Sequence, residues 1–540
     1  MKRALLILAL AACGMPDRDP KWRPAGATTP RRGGTLTVAM KDQIRTLDPV
    51  IAYDEASFYG LVPLFATLVG YEPHGTGLVA DLAERWEVEP DGLAYRFHLR
   101  DRLAYADGSP IVAGDVKYAM ERALTTPDSP FGPMLVDVVG AQAVIEGKAT
   151  DCAGITTPSP RELVIRLTKP APAFIYLMTM KFTTPQRAAH VAAAGDAVRR
   201  APLASGPFQL ESWDEGTKLV LRRNPNYWDP ALPYVDELVM YENIPRDTQF
   251  LMFERGELDS AERLASPDYV WITQQPAWRP YIHTGTLLQV FASRMNTTVK
   301  PFDDRRVRQA LNYALDKEHT RKLLNNAAVI SHGILPPGLP GRDDALPPYP
   351  HDVAKAKALL AEAGYPDGFE VDYMTQNDEQ GEKLAASLQG DLAEVGVRVR
   401  IQLVSFATLA TVMGQKTGPA FSLTSWVGDF PDATNFLDAR FHSRNIADEN
   451  ALNDTRYANP ELDALLDAAR AELDPAKRLA MYRRAERILY DDAPWIFDYH
   501  PATTEVTQPY VRGFELHPIW VRDYTHTWLD LGEHGERVPR

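Results

Sequence analysis

The chain has 540 residues, too many for one ordinary hydrophobic core, so two or three domains are expected. Hydrophobic residues make up 45% and charged residues 24%, which are the proportions of a soluble globular protein. Acidic residues outnumber basic ones by 72 to 58, and this net charge of -14 argues against broad binding to nucleic acid or to anionic membranes.

The amino terminus has the order of a bacterial export signal. Met1-Lys2-Arg3 is basic, an apolar stretch follows, and Leu10-Ala11-Ala12-Cys13-Gly14 resembles a lipoprotein lipobox. The apolar stretch is too short to span a bilayer, which takes about 20 residues. We predict a lipoprotein signal peptide over residues 1–12, lipidation of Cys13, and a flexible tether containing prolines over residues 13–34. The alternative is a cytosolic protein that begins with an apolar peptide.

Alternating residues and turn residues predict strands in the first half of the chain. Thr35-Leu36-Thr37-Val38-Ala39 alternates as a strand does. Residues 86–88 and 95–99 alternate on either side of Pro90-Asp91-Gly92, which predicts a hairpin. Residues 116–123 have the spacing of a short helix. Strands and helices therefore mix here without regular βαβ alternation.

Helix-start residues organise the second half. Asp304 should cap a helix whose apolar face begins at Val307. Asn459-Pro460 and Asp474-Pro475 each open a helix with a cap and a proline in the first turn. A strand over 397–403 follows another helix, and this repetition predicts a layered α/β lobe.

Several segments resemble the extracytoplasmic solute-binding proteins of family 5, the peptide, oligopeptide and nickel receptors of ABC importers. The most specific run from Pro90-Asp91-Gly92 to Phe97-His98-Leu99-Arg100, and from Ser205-Gly206-Pro207-Phe208 to Arg223-Asn224-Pro225-Asn226-Tyr227-Trp228. The resemblance covers nearly all of the mature chain. It implies an α/β, two-lobed periplasmic-binding-protein fold (type II, cluster C-like) with an extra subdomain in the first lobe.

The resemblance also implies how the chain is divided. We expect the first lobe over residues 35–286, with the inserted subdomain at about 76–200, and the second lobe over residues 287–500. Residues 501–540 should return to the first lobe. The chain is expected to cross between lobes near Leu287–Ser293 and Phe497–Thr503.

One stretch, Ser425-Trp426-Val427-Gly428-Asp429-Phe430-Pro431-Asp432, carries the candidate chemistry. From its residues alone it is a buried aromatic beside an acidic turn, a catalytic carboxylate pair, or a grip for a cationic ligand. In the family, the acid three residues after the tryptophan holds the α-ammonium of a peptide. The resemblance assigns that role to Asp429, three residues after Trp426, and leaves Asp432 to shape the turn. Main-chain groups of Ser425 and Val427 would pair with the peptide like an added strand.

The resemblance places further binding residues around this stretch. Trp426, Phe406 and Phe131 of the first lobe would line side-chain pockets, and the first lobe would face the ligand with Tyr53, Asp54 and Glu55. Each of these residues also has an ordinary alternative role in the core or in a turn.

Two departures from the family concern the other end of a peptide. Met413 and Leu423 stand where some oligopeptide receptors carry arginines that meet the ligand carboxylate. The sequence therefore names no partner for a peptide C-terminus. Cys152 has no cysteine partner, so the disulfides of some relatives are absent.

We expect a monomeric, lipid-anchored receptor in the cell envelope, in the periplasm or on the outer face of the cytoplasmic membrane. It would capture di- to oligopeptides between its lobes and deliver them to the permease of an ABC importer, without catalysis, cofactor, metal or nucleic acid. The first alternative is the same fold with a non-peptide solute, such as an oligosaccharide, a nickel complex or haem. The second is a carboxylate-dependent hydrolase that uses Asp429 and Asp432.

Overall fold

The structure, a computed structural model, describes residues 19–73, 75–264, 266–519 and 521–540. The α-helices are α1 Glu55–Leu64, α2 Ala113–Thr125, α3 Ala141–Ile145, α4 Phe174–Leu177, α5 Ala188–Ala194, α6 Arg246–Arg255, α7 Ser266–Thr273, α8 Arg305–Ala314, α9 Lys317–Leu323, α10 Val353–Glu362, α11 Glu379–Ala393, α12 Phe406–Met413, α13 Leu437–Phe441, α14 Pro460–Ala471 and α15 Pro475–Asp492. Within the described ranges, no helix combines the length and the apolar character that a membrane span requires.

The strands alternate irregularly with these helices along the chain. They are β1 Trp22–Arg23, β2 Thr35–Ala39, β3 Val69–Tyr71, β4 Leu78–Ala80, β5 Ala83–Val88, β6 Ala94–Leu99, β7 Ile155–Ser159, β8 Glu162–Arg166, β9 Phe208–Asp214, β10 Lys218–Arg223, β11 Glu237–Tyr241, β12 Ser260–Ala261, β13 Ile282–Thr286, β14 Gln289–Met295, β15 Ala328–Ile330, β16 Glu370–Gln376, β17 Arg398–Val404, β18 Phe421–Val427, β19 Trp495–Thr507, β20 Val511–Arg512, β21 Leu516–His517, β22 Val521–Arg522, β23 Trp528–Leu529 and β24 Val538–Pro539.

Three larger sheets carry the architecture. In the first, the order is β2-β11-β10-β9, with β2 and β11 parallel. In the second, the order is β5-β6-β8-β7, and all neighbours are antiparallel. The largest has the order β12-β19-β14-β18-β16-β17, and β13 and β15 also pair with β19. The long strand β19 therefore joins elements from both halves of the chain.

Separate hydrophobic cores lie against these sheets. The core of the first sheet contains Leu36 and Leu219 and also receives Tyr510 and Tyr524 from the end of the chain. The second sheet has its own core around Phe97. Further cores pack on the largest sheet and on the helices that follow β14. This distribution produces two lobes, the first of which carries an additional packed unit.

The predicted crossing segments lie on two neighbouring strands. Strands β14 and β19 are antiparallel, and Phe291 is opposite Tyr499. The rings of these two residues stack with centroids 4.9 Å apart. The domain boundaries themselves stay predictions.

Several local predictions are confirmed. The hairpin is β5–β6, with Trp86 opposite Phe97. Asp304 caps α8, since its Oδ1 accepts a hydrogen bond from the backbone N–H of Arg306 at 2.8 Å. Asn459 and Asp474 cap α14 and α15. These elements are set by residues close together in the chain, which is why the sequence predicts them.

The helix expected over 116–123 is longer in the structure. It runs over Ala113–Thr125, and the backbone N–H of Val112 donates to Asp115 Oδ2 at 3.0 Å. A side chain in the first turn therefore satisfies a backbone donor before the apolar pattern starts.

Ordered structure begins earlier than the predicted tether allows. Strand β1 pairs with β24, so Trp22 lies opposite Pro539. The Trp22 ring meets Tyr510 edge to face with centroids 6.1 Å apart. The partner strand is at the far end of the chain, so local composition gave no sign of it. Cys13 and the predicted signal peptide lie outside the described residues.

Gly206, from the Ser-Gly-Pro-Phe segment, lies where two backbones approach closely. A Cβ at this position would come within 2.6 Å of Phe65 N and 2.7 Å of Leu64 C, at the end of α1. We predict that Gly206→Ala lowers stability by about 1–3 kcal/mol because the backbone must shift. Thermal unfolding measures this loss.

Gly390 is the matched control for this substitution. It lies inside α11, and a Cβ there would meet no heavy atom within 4 Å. Gly390→Ala should raise stability by up to about 1 kcal/mol through helix propensity. A Gly206→Ala protein as stable as the wild type would contradict the close approach.

Candidate functional site

The candidate stretch begins as the last residues of strand β18. Val427 lies opposite Gln289 of β14, and the backbone N–H of Gly428 donates to Leu288 O at 2.6 Å. Backbone groups in an antiparallel ladder point alternately toward and away from the neighbouring strand. Those of Trp426 therefore face β14, and those of Ser425 and Val427 point to the opposite edge.

That opposite edge is open at the end of β18. Strand β16 runs parallel to β18 but pairs with it only at Met374 and Ser422. Beyond Ser422, none of the described strands pairs with this side of β18. Val427 is 58% exposed. Free N–H and C=O groups on such an edge can bind an extended chain.

Asp429 follows this edge and is held by uncharged donors. Tyr53 Oη donates to Asp429 Oδ1 at 2.8 Å, and Asn435 Nδ2 donates to Oδ2 at 3.0 Å. The backbone N–H of Asp429 donates in turn to Asn435 Oδ1 at 2.8 Å. Because Tyr53 precedes α1 and Asp429 follows β18, the bond from Tyr53 joins the two lobes.

Burial dominates the electrostatics of Asp429. Burial raises its pKa, and the hydrogen bonds from Asn435 and Tyr53 lower it. No cation is among the groups that bond to it within the described chain. An ionised carboxylate has about four acceptor sites, so it can take further donors. Burial and the neighbouring carboxylate raise the pKa of Tyr53, which keeps its hydroxyl protonated as a donor.

Trp426 fixes the position of Asn435. Its Nε1 donates to Asn435 O at 2.7 Å, so Asn435 is fixed between Trp426 and Asp429. The guanidinium of Arg440 lies 5.0 Å from the Trp426 ring centroid. The Trp426 side chain is half-buried, so part of it makes this structural contact and part of it is accessible. Sequence reasoning missed Asn435, because nothing in its neighbours distinguishes it from another turn residue.

Asp432 has a different environment. It accepts two hydrogen bonds from Arg478 of α15, each 2.7 Å long, and one from the backbone N–H of Thr434 at 3.0 Å. Both side chains of the pair are buried, Asp432 being 4% exposed. Asp432 therefore shapes the turn through an ion pair whose partner lies 46 residues away, and the sequence did not indicate Arg478.

The first-lobe candidates divide by role. Tyr53 is 48% exposed and meets Phe131 edge to face with centroids 5.5 Å apart. Phe131 is itself buried and stacks on Phe182, so it supports Tyr53 from the core. Asp54 caps α1 by accepting from Ser57 N at 3.0 Å.

The remaining two candidates lie outside the network around Asp429. Glu55 accepts from Tyr59 Oη at 2.5 Å and forms an ion pair with Arg263. Phe406 begins α12 and is 60% exposed. The structure thus joins Tyr53, Trp426 and Asp429 through direct contacts or through Asn435.

Other contacts between the lobes lie beside this network. The rings of Tyr176 and Phe430 stack with centroids 6.0 Å apart and planes within 5°. Arg470 of α14 forms an ion pair with Asp137. In the described ranges, no group of three or more His, Cys, Asp or Glu side chains is placed to hold a metal ion.

Known proteins are similar to this chain along nearly its whole length. "Di/tripeptide-binding protein 2" of Pseudomonas aeruginosa is 27% identical over 553 residues, covering 98% of this chain and 99% of the relative. "Glutathione-binding protein GsiB" of Salmonella typhimurium is 28% identical over 468 residues, covering 85% of this chain and 88% of the relative.

A solved structure and a family sequence model also match this chain. The structure of "Clavulanic acid biosynthesis oligopeptide binding protein 2" superposes with a TM-score of 0.86 at 26% identity, covering 95% of this chain and 99% of that chain. The sequence model described as "Bacterial extracellular solute-binding proteins, family 5 Middle" matches residues 77–448, well over half of the chain.

The two acids of the stretch should respond oppositely to removal of charge. Asp432→Asn breaks a buried ion pair and should cost about 3–5 kcal/mol of unfolding free energy. Asp429→Asn removes a desolvated charge that has no cation partner among the described residues, so stability at pH 7 should be unchanged or higher. Denaturant titration of both variants measures the difference.

The raised pKa of Asp429 fixes the sign of a pH effect. The folded state binds the proton more tightly than the unfolded state, so this group adds stability as the pH falls through its folded pKa. The wild type should therefore gain stability relative to Asp429→Asn as the pH is lowered from 7 to 4. A large loss of stability in Asp429→Asn at pH 7 would contradict the assignment.

Proposed function

Because the chain belongs to the bacterial extracellular solute-binding proteins of family 5, we propose that it is the peptide-capturing component of an ABC importer. Its fold is the two-lobed α/β fold of that family, as the sequence predicted. The family and the structurally similar proteins are binding proteins. The proposed ligand is a peptide with a free amino terminus, bound between the lobes without covalent change.

The observation that carries this proposal is the carboxylate of Asp429. It is partly buried, held by Tyr53 and Asn435, and without a cation among its described partners. A peptide α-ammonium would supply the missing positive charge and three donors. A desolvated ammonium needs such a partner, because its loss of hydration otherwise opposes binding.

The open edge of β18 supports the same ligand. The backbone groups of Ser425 and Val427 point away from β14, and they directly precede Asp429 in the chain. An extended peptide whose amine meets Asp429 would lie along these groups. Main-chain hydrogen bonds hold a peptide without regard to its side chains, which suits a receptor for varied peptides.

The two lobes are expected to close on the ligand because both contribute a bond to Asp429. Tyr53 of the first lobe and Asn435 of the second bond to the same carboxylate. A ligand that pairs with Asp429 therefore binds best where the lobes meet. Such differential affinity shifts the population toward the closed state.

The hydrolase alternative lacks a free carboxyl pair. Both oxygens of Asp432 accept from Arg478, so this acid is committed to an ion pair. A glycosidase needs two carboxyl groups that face one substrate bond. Binding needs Asp429 alone.

The cellular setting follows from the amino-terminal sequence. The lipobox-like Leu10-Ala11-Ala12-Cys13-Gly14 supports lipidation at Cys13 and attachment to the outer face of a membrane. The anchored receptor would then meet the permease in the plane of the bilayer. Labelling with a radioactive fatty acid, compared with a Cys13→Ser variant, tests this part.

Recognition of the amine is the main prediction. Short peptides with a free amino terminus should raise the melting temperature, because a ligand at 100 times its dissociation constant adds about 2.7 kcal/mol of stability. N-acetylation removes the positive charge and should abolish the shift. Thermal unfolding with matched free and acetylated tripeptides measures both results.

The Asp429→Asn variant is the control for this prediction. It should lose the preference for a free amine while it keeps the fold. Equal binding of free and acetylated peptides by the wild type would show that Asp429 does not hold an ammonium. A shift with an oligosaccharide and none with any peptide would favour the non-peptide alternative.

A further inference from the structure

The largest sheet carries a row of buried polar side chains that takes no part in the candidate site. Arg294 of β14 lies opposite Ser422 of β18 on one side and opposite Trp495 of β19 on the other. Opposite residues of antiparallel strands place their side chains on the same face, about 4.5–5.5 Å apart at Cβ. The three side chains therefore form a row across three adjacent strands. This row, together with Arg440 of α13, is called the donor cluster below.

Arg440 lies over the row from helix α13. Its guanidinium carbon is 5.7 Å from the centroid of the Trp495 ring and 5.0 Å from that of the Trp426 ring. Its Nη2 donates to Thr424 Oγ1 at 3.2 Å, and Thr424 is two residues beyond Ser422 on the same face of β18. These contacts hold the fourth member of the donor cluster against the other three.

Each member of the donor cluster has an N–H or O–H group that no described residue accepts. The atoms are Nε of Arg294, Nε of Arg440, Oγ of Ser422 and Nε1 of Trp495. All four residues are more than nine-tenths buried. A buried donor without an acceptor is costly, and native proteins have few of them. Four such donors beside one another therefore indicate that the cluster binds an acceptor.

The charges around the donor cluster leave an excess of positive charge. Asp454 is shared by two arginines: its backbone O accepts from Arg294 at 2.8 Å, and its Oδ2 accepts from Arg440 at 2.6 Å. Arg456 is a third buried arginine, and its Nη2 has no acceptor within the described chain. Burial lowers the pKa of Arg294, Asp454 raises it, and the charges of Arg440 and Arg456 lower it. Three guanidinium groups thus act together with one carboxylate.

We infer that the donor cluster binds a small monovalent inorganic anion such as chloride. An anion accepts N–H and O–H groups from several directions and offsets part of the excess positive charge. A water molecule accepts only about two hydrogen bonds and brings no charge. The residues are all buried, and a larger or divalent anion would lose more hydration there, so a monatomic anion fits best.

One acceptor near the donor cluster also needs a partner. Oδ1 of Asp454 accepts from no group of the described residues. A water that donates to this oxygen can donate its second hydrogen to the anion, which completes the hydrogen bonds of both. The carboxylate is therefore compatible with an anion on the side of Arg294, Ser422 and Trp495.

A bound anion would fasten helix α13 to three strands of the sheet. Arg440 projects from α13, whereas the other three donors come from β14, β18 and β19. Arg440 also contacts the ring of Trp426, whose Nε1 bonds to Asn435 O. The anion would thus stabilise the scaffold behind the candidate site, whichever solute binds there. Its expected effect is on the stability of the protein.

Thermal unfolding at constant ionic strength tests this site. Sodium gluconate, whose anion is too large for a buried site, is replaced stepwise by sodium chloride. The melting temperature of the wild type should rise with the logarithm of the chloride concentration above the dissociation constant. Ser422→Ala and Trp495→Phe each remove one donor, and each should raise the apparent dissociation constant of chloride about tenfold. Neither change removes a hydrogen bond between described residues, so both variants should fold.

Ser293→Ala is the matched control. Ser293 precedes Arg294 and faces the opposite side of β14, where its Oγ and Tyr373 Oη are hydrogen-bonded at 2.9 Å. This variant should lose stability at every salt composition and keep the chloride dependence of the wild type. Equal chloride dependence in the wild type, Ser422→Ala and Trp495→Phe would overturn the inference, as would a melting temperature that does not respond to chloride.

A crystal grown in sodium bromide locates the anion directly. We expect an anomalous difference peak within hydrogen-bonding reach of Arg294 Nε and Arg440 Nε. Water alone at the donor cluster in such a crystal would overturn the inference.

Discussion

The central constraint of this structure is a buried carboxylate that bonds to no cation within the described part of the chain. Asp429 is positioned by Tyr53 from one lobe and by Asn435 from the other, and both are neutral donors. They orient the acid and lower its pKa, but burial still raises it. A site of this kind is costly while empty and gains most when a positive ligand arrives. The proposed ligand, a peptide with a free amino terminus, is inferred from this condition.

Several other acids of the protein differ from Asp429 because they are paired with arginines. Asp432, three residues later, is fully paired with Arg478. Asp454 bonds to Arg440 at 2.6 Å, and Asp48 bonds to Arg122 at 2.6 Å on both oxygens. These pairs fasten turns and helices to their lobes. Cations therefore hold the scaffold in place, while the acid at the end of β18 stays available.

Sequence reasoning succeeded where structure is set locally. The β5–β6 hairpin and the capped starts of α8, α14 and α15 depend on residues within a few positions of one another. The place of Asp429 after Trp426 came from family resemblance, and its role stays a prediction. Composition alone left catalytic and binding interpretations open.

Long-range contacts account for what the sequence did not indicate. Arg478 and Arg263 come from distant parts of the chain to pair with Asp432 and Glu55. Asn435 reaches Asp429 across six residues, but only the folded turn shows that contact. Pairing between Trp22 and Pro539 joins the two ends of the described chain, and no local pattern reports it. Even the neighbouring acids Asp429 and Asp432 look alike in the sequence, and only their partners in the structure distinguish the proposed ammonium anchor from a structural ion pair.

The most direct measurement is a crystal structure of the protein with a tripeptide that has both termini free. We expect the α-amino nitrogen of the peptide to lie about 2.8–3.0 Å from a carboxylate oxygen of Asp429, the usual distance for such a bond. The peptide backbone should bond to Ser425 and Val427 along the open edge of β18. A peptide amine bound elsewhere, with Asp429 contacting only Tyr53 and Asn435, would contradict the central claim.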